Sequence, residues 1–387
     1  MGRNCSTIGE ETGRNEMNSD AKISVIIPVY NTELYIERAV RSIIGQTFKN
    51  IEVIIVDDRG TDRSIDIVRR FASQDNRIKI IKMSEHGGRS RARNIGIKKS
   101  SAPYIMFCDA DDYYESSVCE KMLDGISQNN SDIAMCGVNV IYEADSSREF
   151  MKSDEEYFRI KKDGIAKINE NIRANTDCSL WNKVFRRDII NKYNIWFPEG
   201  INFEDNFFKE AYFSVAKDIF FIKEKLYNYV RHDGDSVMGQ LLARKKGVSK
   251  DYLHAYIGFN DFLKNNDLIA RDRNYMAKMF FIYLDFALLY ERTYSGRRSI
   301  YNLAHRFIRR EKWKEVDFPL DLSWNFRMLA TENHEVTRKK YIYGLLKLIK
   351  SPSGTKINLF GIPLWMSKIE EKYTIYLIFG IPVFTKR

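Results

Sequence analysis

Between Ile23 and Val138 the chain alternates short apolar, β-branched runs with segments of helical period, and no other feature constrains its fold as strongly. Ile23-Ser-Val-Ile-Ile-Pro-Val29, Ile51-Glu-Val-Ile-Ile-Val56, Arg77-Ile-Lys-Ile-Ile-Lys82, Tyr104-Ile-Met-Phe-Cys108 and Ile133-Ala-Met-Cys-Gly-Val138 read as five strands. Ile36, Val40, Ile43 and Ile44 fall at helical spacing behind a cap expected at Asn31 or Thr32. Ile65, Val68 and Phe71 share a helix face behind a cap expected at Asp62, and a basic helix through Arg93 and Ile97 follows Gly87-Gly88. Strand and helix alternating through short loops predict an α/β fold: a Rossmann-like, mainly parallel, doubly wound sheet covered on both faces.

Ligands of such sheets bind beyond the carboxyl ends of the strands. Tyr30 and Asn31 follow the first strand, Asp57 and Asp58 the second, and His86 to Arg93 the third. Asp109, Asp111 and Asp112 follow the fourth. Three carboxylates within four positions repel one another unless a cation joins them. Hard oxygen ligands suit Mg²⁺ or Mn²⁺, which are commonly held by one or two carboxylates plus substrate phosphates. The stretch therefore points to a diphosphate site, although aspartates also gather at strand-ending turns for backbone reasons. No Gly-x-Gly-x-x-Gly and no Gly-Lys-Ser/Thr loop is present, which argues against dinucleotide-binding and P-loop folds.

The balance of 62 Lys+Arg against 52 Asp+Glu, a net charge of +10, favours anionic partners without choosing among nucleic acid, nucleotide phosphates and a membrane surface. Five cysteines without a Cys-x-x-Cys pair argue for a reducing compartment and against zinc. Residues 1–20 are polar, carry no secretory signal and read as a disordered leader. The apolar window Met279–Tyr290 is shorter than the roughly 20 residues a membrane span needs and carries Asp285, so it reads as a buried helix.

These features divide the chain into an α/β domain at 21–240 that carries the strand-end rim, a helical domain at 241–350 and a tail at 351–387. Asp145 to Ala174 is polar and reads as a loop or flap with a helix. The tail repeats itself: Ile357-Asn-Leu-Phe-Gly-Ile-Pro-Leu364 and Tyr376-Leu-Ile-Phe-Gly-Ile-Pro-Val383. Two units are too few for a solenoid. They read either as short strands or a hairpin, or as a docking patch for a membrane surface or a partner.

Four motifs together, Val25-Ile-Ile-Pro-Val-Tyr-Asn31, Ile55-Val-Asp-Asp-Arg-Gly-Thr-Asp-Arg-Ser64, Gly87-Gly-Arg-Ser-Arg-Ala-Arg-Asn-Ile-Gly96 and Phe107-Cys-Asp-Ala-Asp-Asp112, resemble the family 2 glycosyltransferases of GT-A fold in order and spacing. Trp181-Asn-Lys183 and Glu204-Asp205 extend the resemblance to about residue 236. The helical region looks like the C-terminal regions of bacterial enzymes that build capsule, lipopolysaccharide or related surface glycans.

The resemblance implies a role for each motif. Pro28, Tyr30, Asp57 and Asp58 would hold the uracil and ribose of a UDP-sugar donor. Arg93 would lie beside the nucleotide-sugar, and Asp109 would face the donor sugar or ribose. Asp111, with Asp112, would ligate Mn²⁺ or Mg²⁺ across the two phosphates, and His232 stands where some relatives place a further ligand. Asp205 would be the base that takes the acceptor proton, with Glu204 orienting it or binding acceptor, and Trp181 would stack on a sugar ring or pack in the core. His86 stands where the family usually has Asn, and Arg59 where it usually has a small residue.

The activity so implied is inverting, metal-dependent, non-processive transfer to a glycan or lipid-linked acceptor. It would take place in the cytoplasm or peripherally on the inner face of the membrane, without nucleic acid, in a monomer or a homo-oligomer. A nucleotidyltransferase is the enzymatic alternative, disfavoured by the missing phosphate loop near the first strand. A non-catalytic carbohydrate-binding scaffold is the other, disfavoured by Asp111 and Asp205 occurring together.

Overall fold

The computed structural model describes residues 9–10, 21–142, 160–231, 248–270, 272–291 and 293–313, together with backbone strands at 347–351, 354–359, 362–369, 372–376 and 382–385. The chain forms two compact units, Met1–Ser146 with Phe158–His232 and Ser147–Tyr157 with Asp233–Arg387.

The first unit is built on a ten-stranded mixed sheet. Its strands are β1 (Gly9–Glu10), β2 (Ile23–Val29), β3 (Ile51–Asp57), β4 (Ile78–Lys82), β5 (Tyr104–Phe107), β6 (Tyr113–Tyr114), β7 (Ile133–Tyr142), β8 (Gly164–Lys167), β9 (Lys183–Arg186) and β10 (Asp218–Arg231). They are ordered β1-β4-β3-β2-β5-β9-β7-β10-β6, with β8 also on β10. β4, β3, β2 and β5 are parallel. β2 and β3 contain only one half-buried residue between them, Pro28, because helices cover both faces of the sheet.

All five expected strands form, but the fourth and fifth are not neighbours. β9 inserts antiparallel to both β5 and β7. Its four residues are too short for a periodic signal, yet Val184 and Phe185 are fully buried and hold it there. β10 then runs parallel to β7 through two register shifts, at Ile222/Lys225 and Lys225/Tyr227. Gly137 lies opposite them, where a Cβ would approach the Lys223 and Glu224 carbonyl oxygens within 2.9 and 3.0 Å. In the polar leader, Gly9–Glu10 pairs antiparallel with Ile81 and Lys82, and the rest of the leader lies outside the described residues.

The helices of this unit are α1 (Ile36–Ile44), α2 (Ser64–Ala72), α3 (Gly88–Lys99), α4 (Val118–Gln128), α5 (Glu170–Asn175), α6 (Arg187–Tyr193) and α7 (Glu204–Val215). α1 buries Ile36, Ala39, Val40 and Ile43, the stripe its spacing predicts. Its start differs from expectation: no side chain caps it, and Asn31 Oδ1 instead accepts from the Thr61 N–H at 2.7 Å, tying the β2 and β3 loops together. α2 starts after Arg63, one residue past the cap expected at Asp62, and no side chain caps it; Asp62 Oδ1 accepts from the Ser64 N–H at 3.0 Å within the turn ahead of it. The polar stretch expected as a flap contributes β8 and α5, while residues 143–159 lie outside the described part.

In the second unit, α8 (Asp251–Asn265), α9 (Arg273–Tyr290) and α10 (Tyr294–Glu311) pack through Tyr256, Phe280 and Phe307, with ring centroids 5.4–5.5 Å apart. α9 buries most of the Met279–Tyr290 window. Among the described residues no helix is long and apolar enough to cross a membrane. β11 (Lys347–Ser351), β12 (Gly354–Leu359), β13 (Ile362–Ile369), β14 (Lys372–Tyr376) and β15 (Pro382–Thr385) form an antiparallel meander. The first copy of the repeat overlaps the paired strands β12 and β13, and the second the paired strands β14 and β15.

Candidate active site

The strand order reverses between β2 and β5. Pairing of these strands stops at Ile26 and Phe107, whereas β2 continues to Val29. Chain connections leave in opposite directions on the two sides of this point, which is where open α/β sheets bind ligands. Pro28 lies past the last β5 pair, so its missing N–H falls where β2 has lost that neighbour. Tyr30 is 45% exposed, and its ring lies 4.3 Å from that of His86 at 32°.

Asp57 and Asp58, expected to meet the nucleotide, both reach this rim and are both occupied by backbone. Asp57 Oδ1 accepts from the Arg59 and Gly60 N–H groups at 2.9 and 3.3 Å and shapes its own turn. Asp58 is 2% exposed. Its Oδ1 accepts from Gly87 N–H at 2.7 Å and its Oδ2 from Gly88 N–H at 2.8 Å, so it holds the first turn of α3 against β3. His86 Nδ1 lies 3.1 Å from Asp58 Oδ2.

The three aspartates after β5 separate. Asp109 keeps 31% of its side chain exposed, and its Oδ1 accepts from Arg93 Nη2 at 2.8 Å. Burial raises its pKa, and Arg93 offsets part of that. Asp111 is half-buried at the rim. Asp112 is 1% exposed, with Oδ2 accepting from Tyr227 O–H at 2.6 Å and Oδ1 from Val230 N–H at 2.7 Å. Burial, then the neighbouring Asp111 and Asp109 charges, push its pKa well up. Asp112, expected as a metal ligand beside Asp111, has both oxygens engaged in tying the aspartate turn to β10, whereas Asp111 stands half-buried at the rim.

Glu204 and Asp205 open α7 after Phe203, which sits at φ 60 with 7% exposure. That left-handed step turns the chain so that two acids occupy the helix's first turn, where its dipole favours negative charge. Glu204 is buried, and its Oε1 accepts from Arg93 Nη1 at 2.6 Å and lies 3.2 Å from Arg89 Nε. Burial first, then the Glu204 charge, raise the Asp205 pKa to about 6, against the opposing pull of Arg89 and Arg93. Arg93 is itself buried, 5.6 Å over the Phe197 ring. Burial works against its charge, but Asp109 and Glu204 outweigh that and raise its pKa. One guanidinium thus joins the aspartate turn to the α7 acids.

Trp181 is 8% exposed and stacks on Tyr227 at 4.2 Å and Tyr229 at 5.4 Å. Its ring packs on protein aromatics, so the sugar-stacking alternative is not the one its burial favours. The same ladder orients Tyr227 toward Asp112. Sequence reading missed Tyr227; the alternation of Tyr227 and Tyr229 along one strand was the available signal. It also missed the fully buried Lys183, whose Nζ donates to Asp177 Oδ1, Asn182 Oδ1 and the Ser179 carbonyl at 2.9, 2.8 and 2.6 Å. This network fixes the Cys178–Lys183 turn ahead of β9. His232 lies outside the described residues.

Among the described residues no three His, Cys, Asp or Glu side chains converge as a metal cage. The donor set fits a different arrangement, in which Asp111 and the partly exposed Asp109 offer carboxylate oxygens and a diphosphate supplies the remainder.

Residues 24–193 match the model of the glycosyl transferase family 2. EpsH of Bacillus subtilis (strain 168) is 30% identical over 287 residues, covering 72% of this chain and 80% of EpsH. The minor teichoic acid biosynthesis protein GgaB of the same organism is 29% identical over 257 residues, 65% of this chain and 28% of GgaB. In structure, S. aureus TarS 1-349 in complex with UDP-GlcNAc superposes with a TM-score of 0.66 at 19% identity, over 87% of this chain and 97% of TarS 1-349. The sheet order, its switch point between β2 and β5 and these similarities agree, and the chain belongs to the family 2 glycosyltransferases of GT-A fold.

Proposed function

We propose that this chain is an inverting, metal-dependent, non-processive enzyme. It moves a hexosyl or N-acetylhexosaminyl group from a UDP-sugar to a hydroxyl of a bacterial surface glycan or lipid-linked oligosaccharide. The observation that carries this reading is the joint made by Arg93, which holds Asp109 of the aspartate turn and Glu204 beside Asp205 in one ion network. A carboxylate with a pKa of about 6 is ionised at neutral pH yet basic enough to accept a proton in the transition state.

In this mechanism Asp205 takes the proton of the acceptor hydroxyl as its oxygen bonds to the anomeric carbon. The bond from that carbon to the diphosphate oxygen breaks in line, and its electron pair leaves with UDP. Glu204, neutralised by Arg93 and Arg89, keeps the base at the start of α7. Asp111 and Asp109 would hold a Mn²⁺ or Mg²⁺ ion, which supplies Lewis-acid stabilisation of the charge growing on the leaving diphosphate. The UDP assignment is supported by the TarS complex with UDP-GlcNAc, and the surface-glycan assignment by GgaB. The net charge of +10 suits an enzyme working at the inner face of the membrane, where nucleotide sugars meet lipid-linked acceptors.

A thermal-shift screen of UDP-, GDP- and CDP-sugars with Mn²⁺ tests the donor, because stabilisation grows with ligand concentration over Kd. UDP-sugars should raise the melting temperature most, and a larger rise with GDP- or CDP-sugars would overturn the assignment. Proton NMR of the product of the best donor should show the anomeric configuration opposite to that of the donor. Retained configuration would remove Asp205 as the base of a single displacement.

A further inference from the structure

Arg59 is held at φ 64, in the left-handed region that side chains other than Gly and Asn rarely adopt. The glycine next to it does not take that role. Gly60 has no positive φ, and its missing Cβ serves close approach, since a Cβ there would lie 3.1 Å from both the Asn31 N and Oδ1. The turn thus places its glycine for packing and leaves an arginine at the strained position. Arg59 is exposed, and among the described residues its guanidinium makes no hydrogen bond, ion pair or ring contact. Strain at a binding rim, carried by an unpaired donor group, is where a ligand contact is expected.

The strand order says which part of a ligand comes near it. Asp109 and Asp111 follow β5, whereas Arg59 follows β3, on the other side of β2. Neighbouring strands are about 4.8 Å apart, so these two tips are separated by roughly 10 Å along the rim. A nucleoside diphosphate with its phosphates at the aspartates would direct its base toward the tips of β3 and β4. There Tyr30 presents an exposed ring backed by His86 at 4.3 Å, and Asn31 Oδ1 ties the Arg59 loop to the Tyr30 loop through Thr61 N–H. A ring face for stacking is thus carried by one loop, and an arginine that can only donate by the loop tied to it.

On the donor reading above, we propose that Arg59 is a specificity-determining residue that donates to a carbonyl oxygen on the edge of the nucleobase. It thereby selects uracil, whose outer edge carries an acceptor, over cytosine, whose amino group is a donor. Arg59→Gly separates this contact from folding, because glycine adopts the left-handed conformation freely. The variant should melt at or above the wild-type temperature and yet bind UDP about tenfold more weakly by calorimetry, the scale of one charge-assisted hydrogen bond. CDP, tested alongside UDP with Mn²⁺, should lose little, so that the UDP-to-CDP ratio of affinities falls. UDP binding by the wild type that Arg59→Gly leaves unchanged, with an unchanged ratio, would overturn the role of Arg59 alone. Failure of the wild type to bind UDP at all would overturn the donor assignment and this inference with it.

Discussion

Arg93 and Glu204 are 111 residues apart in the chain and meet at 2.6 Å, both buried, with the second amino group of Arg93 on Asp109. Removing one member of a buried pair strands the other's charge, at a cost of about 3–5 kcal/mol. Arg93→Met should therefore lower stability by that order and abolish transfer. Combined with Glu204→Gln in a double-mutant cycle read by urea denaturation, it should show a coupling of about 1–3 kcal/mol. Additive effects would mean that the two side chains do not act as a unit.

Asp205 gives two opposite signs at one site. Its pKa is raised from 3.8 to about 6, so the folded protein holds more protons than the unfolded chain across that window. Stability from this group is present at acid pH and lost as pH rises toward about 6. Activity follows the ionised form, and kcat/KM should rise with pH through about 6. Asp205→Asn should reduce kcat by about 10² to 10⁴-fold with UDP affinity nearly intact. The same variant should melt higher than wild type at pH 7.5 but not at pH 4. A variant that transfers sugar at the wild-type rate would exclude Asp205 as the base.

Asp111 and Asp112 are adjacent and should fail differently. Asp112→Ala leaves the Tyr227 hydroxyl and the Val230 N–H without their acceptor, at about 1–3 kcal/mol each. Chemical denaturation should show that loss. Asp111→Ala should melt near the wild-type temperature and lose the Mn²⁺-dependent part of its UDP affinity in calorimetry. If the two variants exchanged behaviours, the assignment of roles within the turn would be reversed.

Gly96 sets how closely α3 approaches β2, since a Cβ there would overlap the Ile26 side chain. Gly96→Ala should cost about 1–3 kcal/mol by overpacking. Because α3 carries Arg93, UDP affinity should fall as well. Trimming the obstacle with Ile26→Val in the same chain should recover part of both losses, and no recovery would place the cause elsewhere.

The parallel half of the sheet, the rim and the aspartate turn after β5 were legible in the sequence because each rests on local periodicity or on residues a few positions apart. Ile23–Val29, Ile51–Asp57 and Tyr104–Phe107 announce buried strands by composition, and Asp57 and Asp58 lie at the end of the second and Asp109 just past the third whatever the rest of the chain does. The division of labour was not legible. Asp111 and Asp112 are the same residue type in the same turn, and only β10, more than a hundred residues later, buries one of them under Tyr227 and Val230. β9 shows no period in four residues, yet it separates β5 from β7. The pairing of Arg93 with Glu204 depends on where α7 returns to the sheet, a long-range contact that no local pattern encodes. Sequence alone determined the strands and the chemistry available at their tips, because those follow from short-range sterics and hydrophobic period. Tertiary packing decided which carboxylates stay at the rim and which are buried as struts, because burial and ion pairing depend on elements that meet only in the folded chain.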